Sequence, residues 1–304
     1  MIEVISKKFF LRISQSKKLN KAARKWGLKF GAGQVVAGET IDTAIAKVKE
    51  LNLKGLCCTL DHLGEFVSSK DEAKVATDYC IQTLNAIKKS NVNCNLSLKL
   101  TQLGLDIDFD FCLENMKIIV SKAKQYDIFV RIDMENSSRN QITLDLLKEL
   151  RKEYENVGTV IQAYLFRSEQ DVKELSGIPL RLVKGAYKEP VHLAIQDISE
   201  IDENYLNIIK IHLLSGTYTA IASHDHVIIN KIKEFIKQEN IPKSQFEFQM
   251  LYGFRNELQL SLVSEGYKVR VYVPYGDDWF GYFMRRLAER PQNVSFALKG
   301  FFSK

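Results

Sequence analysis

Residues 157–185 read VGTVIQAYLFRSEQDVKELSGIPLRLVKG. The segment opens on a β-rich run, VGTVIQAY (157–164), and closes on another, PLRLVKG (179–185). Between them lies a polar stretch with helical spacing from Ser168, with Glu169 and Asp171 in its first turn. A strand, a helix and a strand in that order require parallel strands, because the crossover returns the chain to the same end of the sheet. The same pattern repeats outward in both directions. Upstream lie GLCCTL (55–60), NCNLSLKL (93–100) and IFVRIDM (128–134), separated by helical stretches at 70–89, 109–125 and 140–154. Downstream lie YTAIASH (218–224), FEFQML (246–251) and YKVRVYVP (267–274). Helices are expected at 203–214, from Asp225 to about 237, from 254, and at 277–290. Eight such units without a change of pattern predict closure into a (β/α)8 barrel. An open doubly wound sheet that bound a dinucleotide would carry a glycine-rich turn after its first strand. The residues there are TLDHLGEF, and no GxGxxG, P-loop, HExxH or GxSxG occurs.

Composition agrees with a globular chain of this size. Of 304 residues 45% are hydrophobic and 26% charged, which excludes collagen, low-complexity disorder and disulfide-stapled miniproteins. Cys57, Cys58, Cys80, Cys94 and Cys112 form no CxxC pair. They read as reduced and mostly buried in a reducing compartment, and no metal site is expected from them. The net charge of +6 is unevenly placed. Residues 1–30 contain nine Lys or Arg and one acid, Glu3, whereas the rest has 34 basic and 36 acidic residues. Such a distribution argues against a nucleic-acid channel through the fold. Ile2, Ile5, Phe9 and Ile13 share one helical face, and Leu19, Ala22, Ala23 and Trp26 another. We read residues 1–30 as a basic amphipathic helical arm and 31–304 as the catalytic barrel. An arm of this kind packs on the main domain with its basic face in water, or meets anionic lipid at a membrane surface. It is neither a secretory signal nor a membrane span.

Barrel enzymes work at the carboxyl ends of their strands. Here those ends are polar: Asp61, Lys99, Asp133, Gln162, Lys184, His224, Gln249 and Tyr275. The densest cluster follows the last strand, PYGDDWFGYFMRRLAER (274–290). On a helix Tyr282, Arg285, Arg286 and Glu289 form one stripe. Two neighbouring guanidinium groups can clamp a carboxylate, with Glu289 orienting them and Tyr282 lying against a small apolar ring.

With these residues in view, the chain resembles the proline dehydrogenase family, in its monofunctional bacterial form, over about 40–300. The last helix is similar to the family pattern Y-G-x-x-W-x-x-Y-x-x-R-R-x-x-E at Tyr275, Gly276, Trp279, Tyr282, Arg285, Arg286 and Glu289. SLKLTQLG (97–104), RIDME (131–135), IQAY (161–164), RLVKGAY (181–187) and FQMLYG (248–253) resemble its other motifs, in order. The resemblance implies a distorted (β/α)8 barrel with the last helix over the mouth, and FAD held without a Rossmann domain. It implies oxidation of L-proline to Δ1-pyrroline-5-carboxylate by hydride transfer to flavin N5, the first step of proline catabolism. Arg285 and Arg286 would hold the substrate carboxylate. Leu182, Tyr187, Leu251 and Tyr282 would enclose the ring, with Glu289 bracing the arginines. Lys99 and Asp133 would complete the polar floor, and Arg181 would stabilise charge on the reduced flavin. Gln162, Arg181, Val183, Lys184, Gly185, Ala186, His224, Asp225 and Gln249 would contact FAD. The sixth-strand segment departs from the family's T-H-N, since it reads Ser223-His224-Asp225. The implied partners are a quinone or other electron acceptor and a separate pyrroline-5-carboxylate dehydrogenase. The implied location is the cytoplasm, with peripheral contact at the inner face of the membrane. Two rival readings stand beside this one: a Schiff-base aldolase or lyase using Lys184 or Lys99, and a non-enzymatic basic binding module tethered by residues 1–30.

Overall fold

A computed structural model describes residues 28, 32–64 and 67–289, with the side chains of 286–289 outside that description. Apart from Leu28, the arm expected at 1–30 therefore lies outside the described residues. Eight parallel strands close into a barrel in sequence order, the first pairing with the second and with the last. They are β1 (Cys57–His62), β2 (Cys94–Leu98), β3 (Val130–Ile132), β4 (Val157–Gln162), β5 (Leu180–Val183), β6 (Thr219–Ala222), β7 (Phe246–Leu251) and β8 (Val269–Tyr275). The expected strands are all present. Most are shorter than the β-rich runs that announced them, because the outer residues of each run turn into the loops.

Nine helices stand among the described residues. They are α1 (Ile41–Asn52), α2 (Lys70–Ser90), α3 (Phe109–Gln125), α4 (Asn140–Arg151), α5 (Ser168–Glu174), α6 (Ile198–Leu214), α7 (His226–Gln238), α8 (Asn256–Ser264) and α9 (Trp279–Glu289). Several begin on side chains that satisfy the free N–H groups of the first turn. Thr40 and Thr43 form a reciprocal capping box on α1, Ser69 caps α2 through Glu72 N, and Asp108 accepts from Phe111 N at 2.7 Å on α3. Asp197 caps α6 through Ser199 and Glu200, which starts that helix five residues earlier than the pattern at 203–214 implied. Ser168 is the first residue of α5, as the spacing implied, but it does not cap the helix. Its hydroxyl accepts from Asn204 Nδ2 at 2.9 Å instead of capping, and α5 begins with no side-chain cap.

The barrel is distorted at one place. In a regular (β/α)8 fold the helix after β8 covers the seam between β8 and β1. Here α1, which precedes β1, packs on both strands of that seam and buries Ala44, Ile45 and Val48 there. The outer position is thus filled, and α9 stays at the carboxyl end of the strands. It packs on Leu63, just past β1, and on Ala32, Val35 and Val36. Trp279 Nε1 donates to Glu39 Oε1 at 3.0 Å, tying α9 to the segment that leads into α1. No helix among the described residues is long and apolar enough to cross a membrane.

The outer faces of the strands meet the helices through aliphatic side chains such as Leu60, Leu96, Val130, Leu182, Val271 and Val273. The inner faces are a different medium, and they lead to the site.

Candidate active site at the barrel mouth

Barrels of this class fill their interior mainly with branched aliphatic residues. This one fills it with hydrogen-bonded charge. Successive strand residues point to opposite faces, so Arg270 and Tyr272 of β8 turn inward while Val269, Val271 and Val273 face the helices. In the lower part Arg270 Nε donates to Glu247 Oε1 at 2.7 Å, and its Nη1 to the Cys58 carbonyl at 2.6 Å. Tyr218 donates to the second Glu247 oxygen at 2.8 Å. Burial alone would raise the Glu247 carboxyl. The Arg270 charge, its hydrogen bond and Lys268 outweigh that and pull it down to about 2.

Gln249 Nε2 donates to Glu247 Oε1 at 2.6 Å and links this layer to the one above. There Arg181 spends its guanidinium in three directions. Nε donates to Gln249 Oε1 (2.6 Å), Nη1 to Asp133 Oδ1 (2.6 Å) and Nη2 to Ser97 Oγ (3.0 Å). Its Cζ lies 5.2 Å from the Tyr272 ring centroid. The Tyr272 hydroxyl donates to the other Asp133 oxygen at 2.7 Å. Lys99 Nζ sits 3.0 Å from Asp61 Oδ2 and 3.8 Å from Asp133 Oδ2. Asp61 is 1% exposed. Desolvation raises its carboxyl, against the lowering pull of Lys99. Buried charge is tolerated only when paired and hydrogen-bonded, and here it is, in a chain running from Lys99 to Arg270.

Most of the residues expected at the mouth are brought together. Lys99, Asp133, Arg181 and Gln249 form the network. Gln162 donates through Nε2 to the Glu135 carbonyl at 3.2 Å. Glu135 itself is buried, accepting from Thr101 N and Oγ1 at 3.2 and 2.8 Å, and burial raises its carboxyl. His224 Nε2 accepts from Leu251 N at 2.9 Å, which joins the ends of β6 and β7. Gly185 takes φ +116, and a Cβ there would fall 2.5 Å from the Tyr164 ring, so only glycine fits this close approach. Ala186 follows it in the loop after β5, next to Tyr187, which is 42% exposed.

Lys184 binds Asp202 Oδ1 at 2.5 Å and Asp225 Oδ2 at 3.5 Å. Asp225 also caps α7, accepting from Val227 N at 2.9 Å. Burial opposes its charge, but the two capping N–H groups and Lys184 prevail and hold its carboxyl below the ordinary value. On α9, Tyr282 is buried and Arg285 half-buried, whereas the side chains of Arg286 and Glu289 lie outside the described residues.

Two expectations do not hold. Leu182 is fully buried between Arg181 and Val183, on the opposite face of β5 from Arg181, so it packs against the helices and not on a ligand in the mouth. Tyr275 also points outward, and its hydroxyl meets Thr83 of α2 at 2.5 Å. Ser97, Glu247, Arg270 and Tyr272 were missed. Their signal was strand alternation: LSLK puts Ser97 on the face of Lys99, FEFQ puts Glu247 on the face of Gln249, and VRVYVP puts Arg270 and Tyr272 on the face opposite to Tyr275. A lateral cleft of about 440 Å3, lined in part by Lys47, Lys54, Tyr252 and Gln259, lies between α1 and α8, outside the barrel.

The mouth also fits a polar cofactor. Gln162 Oε1 is buried and meets no hydrogen-bond partner among the described residues. A buried acceptor in that state is open to a donor from a bound molecule or an ordered water. Around it stand the cationic Arg181 and Lys184 and the tight backbone at Gly185.

A closed parallel barrel with its ionisable groups gathered at the carboxyl ends of the strands, under a helix bearing Tyr282 and Arg285, defines a (β/α)8-barrel enzyme with its active site at the mouth. The family model described as proline dehydrogenase matches residues 44–299. Proline dehydrogenase 2 of Bacillus subtilis (strain 168) is 51% identical over 303 residues, covering 99% of this chain and 100% of that protein. Proline dehydrogenase of Deinococcus radiodurans is 40% identical over 309 residues, covering 99% of each. The crystal structure of proline utilization A from Bdellovibrio bacteriovorus, inactivated by N-propargylglycine, superposes with a TM-score of 0.81 at 29% identity. That match covers 90% of this chain and 34% of the longer one. The chain belongs to the proline dehydrogenase family.

Proposed function

We propose that this chain oxidises L-proline to Δ1-pyrroline-5-carboxylate, the first step of proline catabolism, using FAD at the barrel mouth and passing the electrons to a quinone. The observation that carries the reading is the Lys99–Asp61–Asp133–Arg181 network at the mouth, set below Tyr282 and Arg285. When bound, the flavin would supply the two-electron, hydride-accepting chemistry that no side chain offers. Gln162, Arg181, Val183, Lys184, Gly185, Ala186, His224 and Gln249 are the residues that would hold it.

The protein's own contribution is position and charge. Arg285 and Arg286 fix the carboxylate of the imino acid bidentately, and Glu289 orients them. Tyr282 and Leu251 confine the ring, with Tyr187 at the rim. Fixing one end by charge and the other by packing leaves a single ring C–H bond facing the cofactor. Arg181 is aimed by three acceptors and needs no reorganisation to stabilise developing negative charge. Asp133 already accepts from Arg181 and Tyr272, so its part is to fix Arg181 and not to take the amine proton.

The Schiff-base alternative needs an uncharged, desolvated amine. Lys99 and Lys184 are each ion-paired to carboxylates, at 3.0 and 2.5 Å, which is the opposite arrangement. A quinone acceptor would bring the protein to the inner face of a membrane, and the basic excess of residues 1–30 suits an anionic surface. The product would pass to a separate pyrroline-5-carboxylate dehydrogenase.

One spectrum tests the proposal. The purified protein should show flavin absorption bands that bleach on anaerobic addition of L-proline. A colourless protein trapped by borohydride with a carbonyl substrate would establish the lyase instead. Arg286→Ala should raise KM for proline at least tenfold while flavin stays bound, and loss of flavin would contradict the role given to Arg286.

A further inference from the structure

Asp225 follows His224 just past β6 and caps α7 through Val227 and Ile228. Asn and Asp cap a helix equally well, so capping alone does not call for a charge at this position. The geometry adds a second partner. Lys184, at the rim of the mouth after β5, is held between Asp202 Oδ1 on α6 (2.5 Å) and Asp225 Oδ2 at the start of α7 (3.5 Å). The Lys184 and Asp225 side chains are 31% and 37% exposed, so an incoming anion can reach them. One ammonium facing two carboxylates leaves the cluster with a net charge of −1. Any phosphate group that approaches Lys184 must compete with both acids.

We propose that Asp225 and Asp202 are competitors for Lys184 that set the affinity of the mouth for a phosphate-bearing cofactor, so this chain binds its dinucleotide more weakly than it would with a neutral residue at 225. The inference rests on the FAD reading above. It assigns Asp225 a tuning role in place of direct contact.

Full-length protein stripped of flavin is titrated with FAD, and in parallel with riboflavin, which has no phosphate, following quenching of flavin fluorescence at 25 and 400 mM NaCl. Asp225→Asn keeps the α7 cap and removes one charge. It should bind FAD about three- to tenfold tighter at low salt, a gain that shrinks at high salt, with riboflavin affinity unchanged. Asp202→Asn is the second variant and should shift FAD affinity in the same direction. Equal tightening for FAD and riboflavin, or no change in either variant, would overturn the inference while leaving the cofactor assignment intact. Weaker FAD binding by Asp225→Asn would mean that the carboxylate contacts a cofactor hydroxyl, which also overturns it. A wild-type protein that takes up no FAD fails the cofactor reading and the inference with it.

Discussion

Arg181 shows what the site demands of a single side chain. Its three donors point to Gln249, Asp133 and Ser97, on β7, after β3 and on β2. A lysine carries the same charge but is a point donor without the planar fork. Arg181→Lys should therefore leave two of the three acceptors short and let the cation drift. Turnover with a soluble dye acceptor should fall by about 100-fold or more in kcat/KM, on the scale of losing one preorganised electrostatic contact. Circular dichroism should remain that of the wild type. Tyr272→Phe tests the neighbouring bond. It removes the hydroxyl that donates to Asp133 Oδ2 at 2.7 Å and should lower kcat/KM by roughly tenfold, mainly through kcat, because the change touches the floor and not the carboxylate clamp.

At the scale of elements, His212 pins α6 to the barrel. Nε2–H donates to the Ile178 carbonyl at 3.2 Å, so Nδ1 accepts from the Thr219 hydroxyl at 2.7 Å. Burial, and the nearby Arg131, lower this imidazole to about 4 from an ordinary 6.5. A histidine depressed in the fold contributes stability that is complete above 6.5 and is lost as pH falls through 4. The contribution is roughly 3 kcal/mol at most. His212→Gln should flatten the loss of urea stability between pH 6.5 and 4.5, and an unchanged slope would contradict the assignment.

Elements were also where sequence patterning spoke most clearly, and where its blind spots have physical causes. Period-two runs such as FEFQML located the strands, since alternation follows directly from the pleat. α3, whose first turn Asp108 caps in the structure, was legible at about 109–125 from its helical spacing. The start of α6 was not, because ISEIDE is polar on most faces and its signal lies in a single capping aspartate. At the site, the arginine pair and RLVKGAY stood out as motifs. Glu247 and Arg270 did not, because a charged pair buried inside a barrel leaves no mark except strand parity. Leu182 was misassigned because its neighbours on both sides belong to the site and parity was not applied to it.

For the whole molecule, the polar interior couples the barrel's integrity to acid. The Glu247 carboxyl lies at about 2 in the fold against an ordinary 4.5. Its stabilising contribution is present above 4.5 and drains away as pH falls toward 2. Glu247→Gln should unfold less steeply in acid than the wild type, while being less stable at pH 7, as followed by tryptophan fluorescence. The seam offers a second test. Val48 of α1 is fully buried. Val48→Asp would place an unpaired charge on the β1–β8 junction and should cost at least about 3 kcal/mol of global stability in urea.

That seam has a consequence for how the chain is made. The Arg270–Cys58 hydrogen bond spans 212 positions, so the last barrel strand must return to the first. A ribosome adding about 5–20 residues per second would translate the intervening stretch in roughly 10–40 s. Through that interval α1 has emerged without its second strand, its greasy side uncovered. Ring closure is then a late, non-local event during biosynthesis, and chaperone dependence should be sharpest for nascent chains halted just short of β8.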